Sequence, residues 1–220
     1  MQVMKETFSP KIELKKRNDL HLSRKILHAA GVGFIIGLFH TLSREQALIA
    51  STIAFFLFVP IDWLRAYWKP ANQIFLKTFG RYMRDNERHG LTGTSYLLVA
   101  VLLLIAFFPK IITSLALAML AVGDPIASIV GVMYGKDKLV GNKSLQGSMA
   151  AFFACFIISF AYFFYFNIMT DRLLLVSILC GVIGAASELI PVGKCDDNLS
   201  FPVLAAIGLL VVFYVFGGFY

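Results

Sequence analysis

Long apolar runs separated by charged segments set the pattern of the chain. The runs cover residues 25–40, 45–64, 94–109, 111–133, 147–168, 173–190 and 201–217. None alternates as a half-buried strand would, and helices satisfy their own backbone groups in lipid. The pattern therefore predicts an all-α, polytopic membrane bundle of about seven transmembrane helices. A bilayer needs about 20 apolar residues per helix. The runs at 25–40 and 94–109 are short by that measure, which leaves a six-span arrangement open. Residues 1–23 form a polar, basic tail, and 24–220 form the membrane domain.

Composition agrees with this pattern. Hydrophobic residues make up 58% and charged residues 15% of the 220 positions, and mean hydropathy is +0.76. Soluble domains carry about 25% charge, so a soluble domain on a single anchor is excluded. No cleavable signal peptide is expected, because the first 25 residues lack an apolar core. Cys155 and Cys180 lie in apolar runs and Cys195 in a polar loop. That spacing supports neither a disulfide framework nor a thiolate zinc site.

The net charge of +7 could point to nucleic acid, but its distribution gives a better account. The tail and the start of the first run hold seven cations, from Lys5 to Lys25. The segment after the second run holds six, from Arg65 to Arg88. Lys136, Lys138 and Lys143 follow the fourth run, and Lys194 the sixth. The alternate loops hold only Arg44, Lys110 and Arg172, so 17 cations face three. Positive-inside bias places the N-terminus in the cytoplasm. The tail, which mixes Ile12, Leu14, Leu20 and Leu22 with cations, either lies on the anionic leaflet or serves only as a topogenic cluster.

This topology gathers the unusual polar residues at the cytoplasmic ends of the helices. They include RKILH (24–28), Asp62 with Arg65, RDNERHGLTGTS (84–95) and SELIPVGKCDDN (187–198). Asp124 is the most incongruous, a carboxylate in GDP roughly 14 Å inside the fourth span. An ionised acid at that depth costs roughly 2.5–3.5 kcal/mol, so it needs a cation, a proton or a partner. Gly123 and Pro125 predict a broken helix there.

The following loop, GKDKLVGNKSLQGS, suits anion chemistry. Glycines let backbone N–H groups approach a ligand. Lys136, Lys138, Asn142, Lys143, Ser144, Gly147 and Ser148 supply charge, polar groups and a helix N-terminus. It is not a Walker A loop, whose glycine spacing it lacks. With the buried acid it suggests a carboxylate for Mg²⁺ and a cradle for phosphates. Asp196 and Asp197 add oxygen ligands, while Asp197 or Asn198 would cap the last span. Thr94 or Ser95 would cap the third, and Asp62 would pair with Arg65.

Together RKILH, D-x-x-R, RDNERHGLTGTS, GDPIAS-x-x-G-x-x-YGK, GNKSLQGS and CDDNLSFP resemble the CTP-dependent lipid kinase family: dolichol kinase, yeast-type diacylglycerol kinase and phytol kinase. The resemblance covers about Arg24 to Pro202. It implies phosphoryl transfer from CTP, with Mg²⁺ or another divalent ion, to a membrane lipid alcohol. It also implies a multi-pass protein of a bacterial cytoplasmic or endoplasmic-reticulum membrane, with no nucleic-acid partner. Asp124 with Asp196 or Asp197 would hold the metal. Asp197, Glu87 or His28 would take the hydroxyl proton. The related phosphatidate cytidylyltransferases share the GD start, but their P-G-H-G-G continuation is replaced here by KSLQGSMAAF. A cation-coupled transporter using Asp124 is the non-enzymatic alternative; no inverted repeat supports it.

Overall fold

The computed structural model describes residues 22–80, 83–193 and 195–219. Most of the basic tail, Arg81 and Lys194 lie outside the described residues. Eight helices follow in order: α1 (Leu22–Thr41), α2 (Arg44–Tyr67), α3 (Lys69–Phe79), α4 (Gly93–Phe107), α5 (Lys110–Tyr134), α6 (Leu145–Phe166), α7 (Leu173–Leu189) and α8 (Asp197–Phe216). A 3₁₀ turn (Asp85–His89) precedes α4. A small antiparallel hairpin, β1 (Lys138–Val140) with β2 (Lys143–Ser144), joins α5 to α6.

Among the described residues six helices are long and apolar enough to cross a membrane, and α4 is a shorter apolar helix. Three expectations change. The first span is not short, because α1 starts at Leu22 and runs for 20 residues. The segment after α2 is not merely a loop, because α3 forms within it. The fourth span does not break: α5 is continuous for 25 residues with Pro125 inside it. Pro125 removes one backbone bond. Its neighbours Gly123 and Ala127 are both buried against other helices.

α5 and α8 form the centre. Leu115, Leu117, Leu120, Phe201, Leu209 and Phe213 are fully buried there. In lipid such packing rests on close contact rather than on exclusion of water. A side chain at Gly181 would strike Phe152, and one at Gly184 would strike Cys155, so α6 and α7 approach closely. The perimeter is apolar, with Phe34, Phe56, Ile157 and Tyr214 exposed. α1 packs on α5 and α2 packs on α4. The N-terminus of α1 and the C-terminus of α2 thus stand on two walls at the basic end of the bundle.

At the opposite end the few cations close helix termini. Arg44 donates to the carbonyls of Ile105 and Ala106 at the end of α4. Lys110 donates to those of His40 and Leu42 at the end of α1. Arg172 pairs with Asp171. Arg44 and Lys110 thus satisfy terminal carbonyls that lack helical partners.

Candidate active site

The site forms at the basic end, where α5, α7 and α8 bring acids to face cations from α1, the 3₁₀ segment and the hairpin. Asp124 is half-buried on α5, about 15 Å from the helix end. It makes no hydrogen bond or ion pair within the described residues. The charges of Asp197, Arg84, Asp196 and Lys143 all act on it. One turn further along, Ser128 accepts a 2.8 Å hydrogen bond from Lys25 of α1. Arg24 lies within electrostatic reach of Arg84, Glu87, Asp196 and Asp124.

The hairpin sorts the loop residues. Gly141 turns it with φ +55°, a conformation that favours glycine. Lys138 donates back to the Asn142 carbonyl at 2.9 Å and is exposed, as are Lys136 and Asn142. Gln146 accepts from the Lys136 and Asp137 amides and donates to the Asp137 carboxylate. Lys143, in contrast, turns inward. Its Nζ lies 3.1 Å from Asp197 Oδ1 and 3.7 Å from Glu188 Oε1, and it donates to the Glu188 carbonyl. Ser148 donates to Glu188 Oε2 at 3.1 Å. Ser144 caps α6 by accepting from the Gly147 amide at 3.2 Å.

Gly135 and Gly147 serve close packing. A side chain on Gly135 would strike the Gly131 carbonyl and Ser144, and one on Gly147 would come 3.0 Å from the Ala127 carbonyl. These glycines let α5 and α6 touch beneath the hairpin, and that contact places Ser148 opposite Glu188.

The third wall is the segment 84–95. Arg84 pairs with Asp196 at 2.6 Å. Asp196, not Asp197 or Asn198, caps α8, accepting from the Asn198 amide. Glu87 is buried and accepts from the amides of Arg84 and Gly93 at 3.1 and 3.2 Å. α4 begins after Thr92 rather than at Thr94 or Ser95. Thr92 and Ser95 instead donate to Asp62, Ser95 at 2.5 Å.

Asp62 and Arg65 pair at 2.8 Å as expected, and Arg65 extends the network to Asn72 and to the carbonyls of Glu87 and Gly90. This fully bonded pair fixes the wall. Between the wall and the start of α8 lies a cavity of about 310 Å³, lined by Arg84, Glu87, Tyr96, Asp196 and Asp197 among others.

Asp124, Asp196, Asp197, Glu87, Lys143 and Ser148 thus stand together, whereas Lys136, Lys138 and Asn142 lie on the outer side of the hairpin. His28, on α1, feels the charges of Arg24, Asp196 and Arg84, and its Nε2 is buried without a hydrogen-bond partner. Lys25, Arg84 and Glu188 were not singled out for the site from the sequence. Their signal in the sequence is membership of the polar segments 24–28, 84–95 and 187–198. Among the described residues no three acid, His or Cys side chains cluster as a complete metal cage. The arrangement of carboxylates beside cations suits a polyanion that brings part of its own metal coordination.

No family model matches the chain, and no solved structure matches it. Known relatives do, among them three kinases. The chain is 30% identical over 216 residues to the CTP-dependent diacylglycerol kinase 1 of Saccharomyces cerevisiae, covering 89% of this chain and 74% of that protein. It is 29% identical over 204 residues to the enzyme of the same name from Schizosaccharomyces pombe, covering 87% and 93%. It is 30% identical over 224 residues to the chloroplastic phytol kinase 1 of Arabidopsis thaliana, covering 91% and 70%.

Proposed function

The chain belongs to the family of CTP-dependent lipid kinases, and from that membership we propose that it phosphorylates the hydroxyl of diacylglycerol or of a dolichol-type polyprenol, using CTP, at the cytoplasmic face of its membrane. The observation that carries the reading is the convergence of Lys143, Asp197, Glu188, Ser148, Arg84 and Asp124 at one end of an otherwise apolar bundle. The 17-to-three division of cations supports the cytoplasmic orientation of that end.

In this reading Lys143, Arg84 and Lys25 bind the triphosphate. Phosphoryl transfer proceeds through a loose, highly charged transition state, so positioning and charge neutralisation dominate. The lipid oxygen bonds to the γ-phosphorus as the bond to the bridging β,γ-oxygen breaks, and CDP leaves. His28, whose buried Nε2 has no hydrogen-bond partner, would take the hydroxyl proton and leave Asp197 for the metal; Glu87, with its oxygens engaged by two amides, would hold the wall. The residues also fit Mg²⁺, which typically uses one or two carboxylates plus substrate phosphates. Asp124 has no competing hydrogen bond, and with Asp197 it would hold the ion, which offsets phosphate charge when bound.

The test is turnover of the purified full chain in lipid vesicles with CTP labelled at the γ-phosphorus and a panel of lipid alcohols. Label should pass to the lipid and CDP should accumulate. Transfer of the cytidylyl group with release of pyrophosphate, or no transfer to any alcohol, would overturn the reading.

A further inference from the structure

Helix α3 has no part in the proposed chemistry, yet it has an unusual surface. At 11 residues it is about 16 Å long, too short to cross a bilayer. It leaves α2 through Trp68, whose backbone is extended, with Pro70 in its first turn. It carries Lys69 and Lys77, both exposed, and no acid. Ile74 is 69% exposed and Phe79 49% exposed. Just before it, Trp63, Tyr67 and Trp68 are all exposed. Aromatic side chains gather where a membrane helix meets the headgroups. The lipid-facing surface of α2 therefore continues directly onto α3.

We propose that α3 is a membrane-surface helix whose partner is an anionic lipid leaflet, and that its docking there steadies the wall carrying Arg84 and Glu87. The coupling runs through one side chain. Asn72, buried on the inner face of α3, accepts from Arg65 at 2.9 Å and donates to the Arg88 carbonyl at 2.9 Å. Arg65 in turn holds the carbonyls of Glu87 and Gly90 and lies over the Phe75 ring. A shift of α3 therefore moves the 3₁₀ segment, and with it the Arg84–Asp196 contact. The exposed lysines, on a helix that itself carries no acid, match lipid phosphates, and Ile74, exposed on the side of the helix away from Asn72, matches the acyl boundary.

The experiment uses the full chain with its three cysteines replaced and one placed at Ile74, labelled with a polarity-sensitive fluorophore. It is reconstituted in vesicles of phosphatidylcholine alone or mixed with phosphatidylserine. Emission should shift to the blue and be quenched by lipids with brominated acyl chains, more strongly with phosphatidylserine. Each lysine contributes roughly a fivefold preference for an anionic surface, so Lys69→Glu with Lys77→Glu should weaken docking by about an order of magnitude or more. Water-like emission in both vesicles would overturn the proposal, as would quenching indifferent to both lipid charge and the lysine reversal.

Asn72→Ala tests the coupling: it should remain docked and lose CTP turnover, and full turnover in a docked variant would sink that half. The coupling rests on the kinase reading, whereas the docking does not. A wild-type chain that docks but transfers no phosphoryl group would sink the kinase reading and leave the surface helix standing.

Discussion

Lys143 reaches Asp197 at 3.1 Å across 54 positions of sequence. The same ammonium contacts Glu188, so one cation at the hairpin joins the C-terminus of α7 to the N-terminus of α8. Neither acid is beside Lys143 in the chain. The contact of α5 with α6 beneath the hairpin sets the position of Lys143, and the packing of α6, α7 and α8 brings the acids to it.

Lys143→Ala should therefore weaken CTP binding by roughly 10–100-fold, the range of a lost charge-assisted hydrogen bond of about 1.5–3 kcal/mol. The fold should persist, because Lys143 is partly exposed, Asp197 keeps access to water and Glu188 keeps its hydrogen bond from Ser148. Direct CTP titration beside thermal unfolding checks both. Unchanged affinity in a folded variant removes the hairpin from the site.

Arg65→Ala should behave in the opposite way, as a stability variant. It leaves Asp62 buried without its cation, and Asn72 and two carbonyls lose their donor. Breaking such a buried pair costs roughly 3–5 kcal/mol. Arg65→Lys should rescue little, because an ammonium lacks the planar fork that serves several acceptors. Removing Asp62 as well should add less than the sum of the single losses. Unfolding in detergent of the wild type, the two Arg65 variants, the Asp62 variant and the double variant makes the comparison.

The apolar runs made the membrane helices legible, with ends off by a few residues. The start of α1 was missed because Arg24 and Lys25 look like loop residues; they stand in the first turn, with Lys25 bonded to Ser128 of α5. α3 was missed because its polar Asn72 is the buried residue while Ile74 is exposed, the reverse of the usual pattern. Asp124 was visible by its incongruity. Glu188 and Arg84 were not, because their partners lie 40 and 112 positions away. Lys138 and Lys143 look alike in sequence. Only the hairpin register separates them, placing Lys138 opposite Ser144 and Lys143 opposite Val140.

Two glycine substitutions should diverge. Gly135→Ala forces a methyl group into the Gly131 carbonyl and Ser144, so it should disturb the base of the hairpin and lower both stability and turnover. Gly33→Ala adds a methyl group with nothing within 4 Å, and should be neutral or stabilising by up to about 1 kcal/mol. Paired melting and turnover measurements separate them. Equal behaviour would mean that α5 and α6 do not meet as closely as described.

Orientation has its own test. A single cysteine at Lys138 or Gly193, in a chain otherwise free of cysteine, should be shielded from an impermeant thiol reagent added outside intact cells. Both positions are exposed on the basic end, so access is not limited by packing. Efficient labelling from outside would place the site on the other side of the membrane.

Asp124→Asn separates chemistry from architecture. The substitution removes the charge and nearly preserves size. Asp124 makes no hydrogen bond or ion pair within the described residues, so the amide disrupts no contact, and an acid that is costly to bury is gone. α5 is continuous through this position and does not depend on the carboxylate for its helix. Thermal stability should therefore hold or rise slightly. Turnover should collapse if Asp124 holds Mg²⁺, because the triphosphate would lose the ligand that neutralises its developing charge. A structural acid would give another pattern, in which activity falls only as far as stability does. Melting and labelled-CTP turnover of both proteins across a Mg²⁺ titration make the comparison. A stable variant with near-wild-type turnover and unchanged metal dependence would show that Asp124 is not part of the reaction.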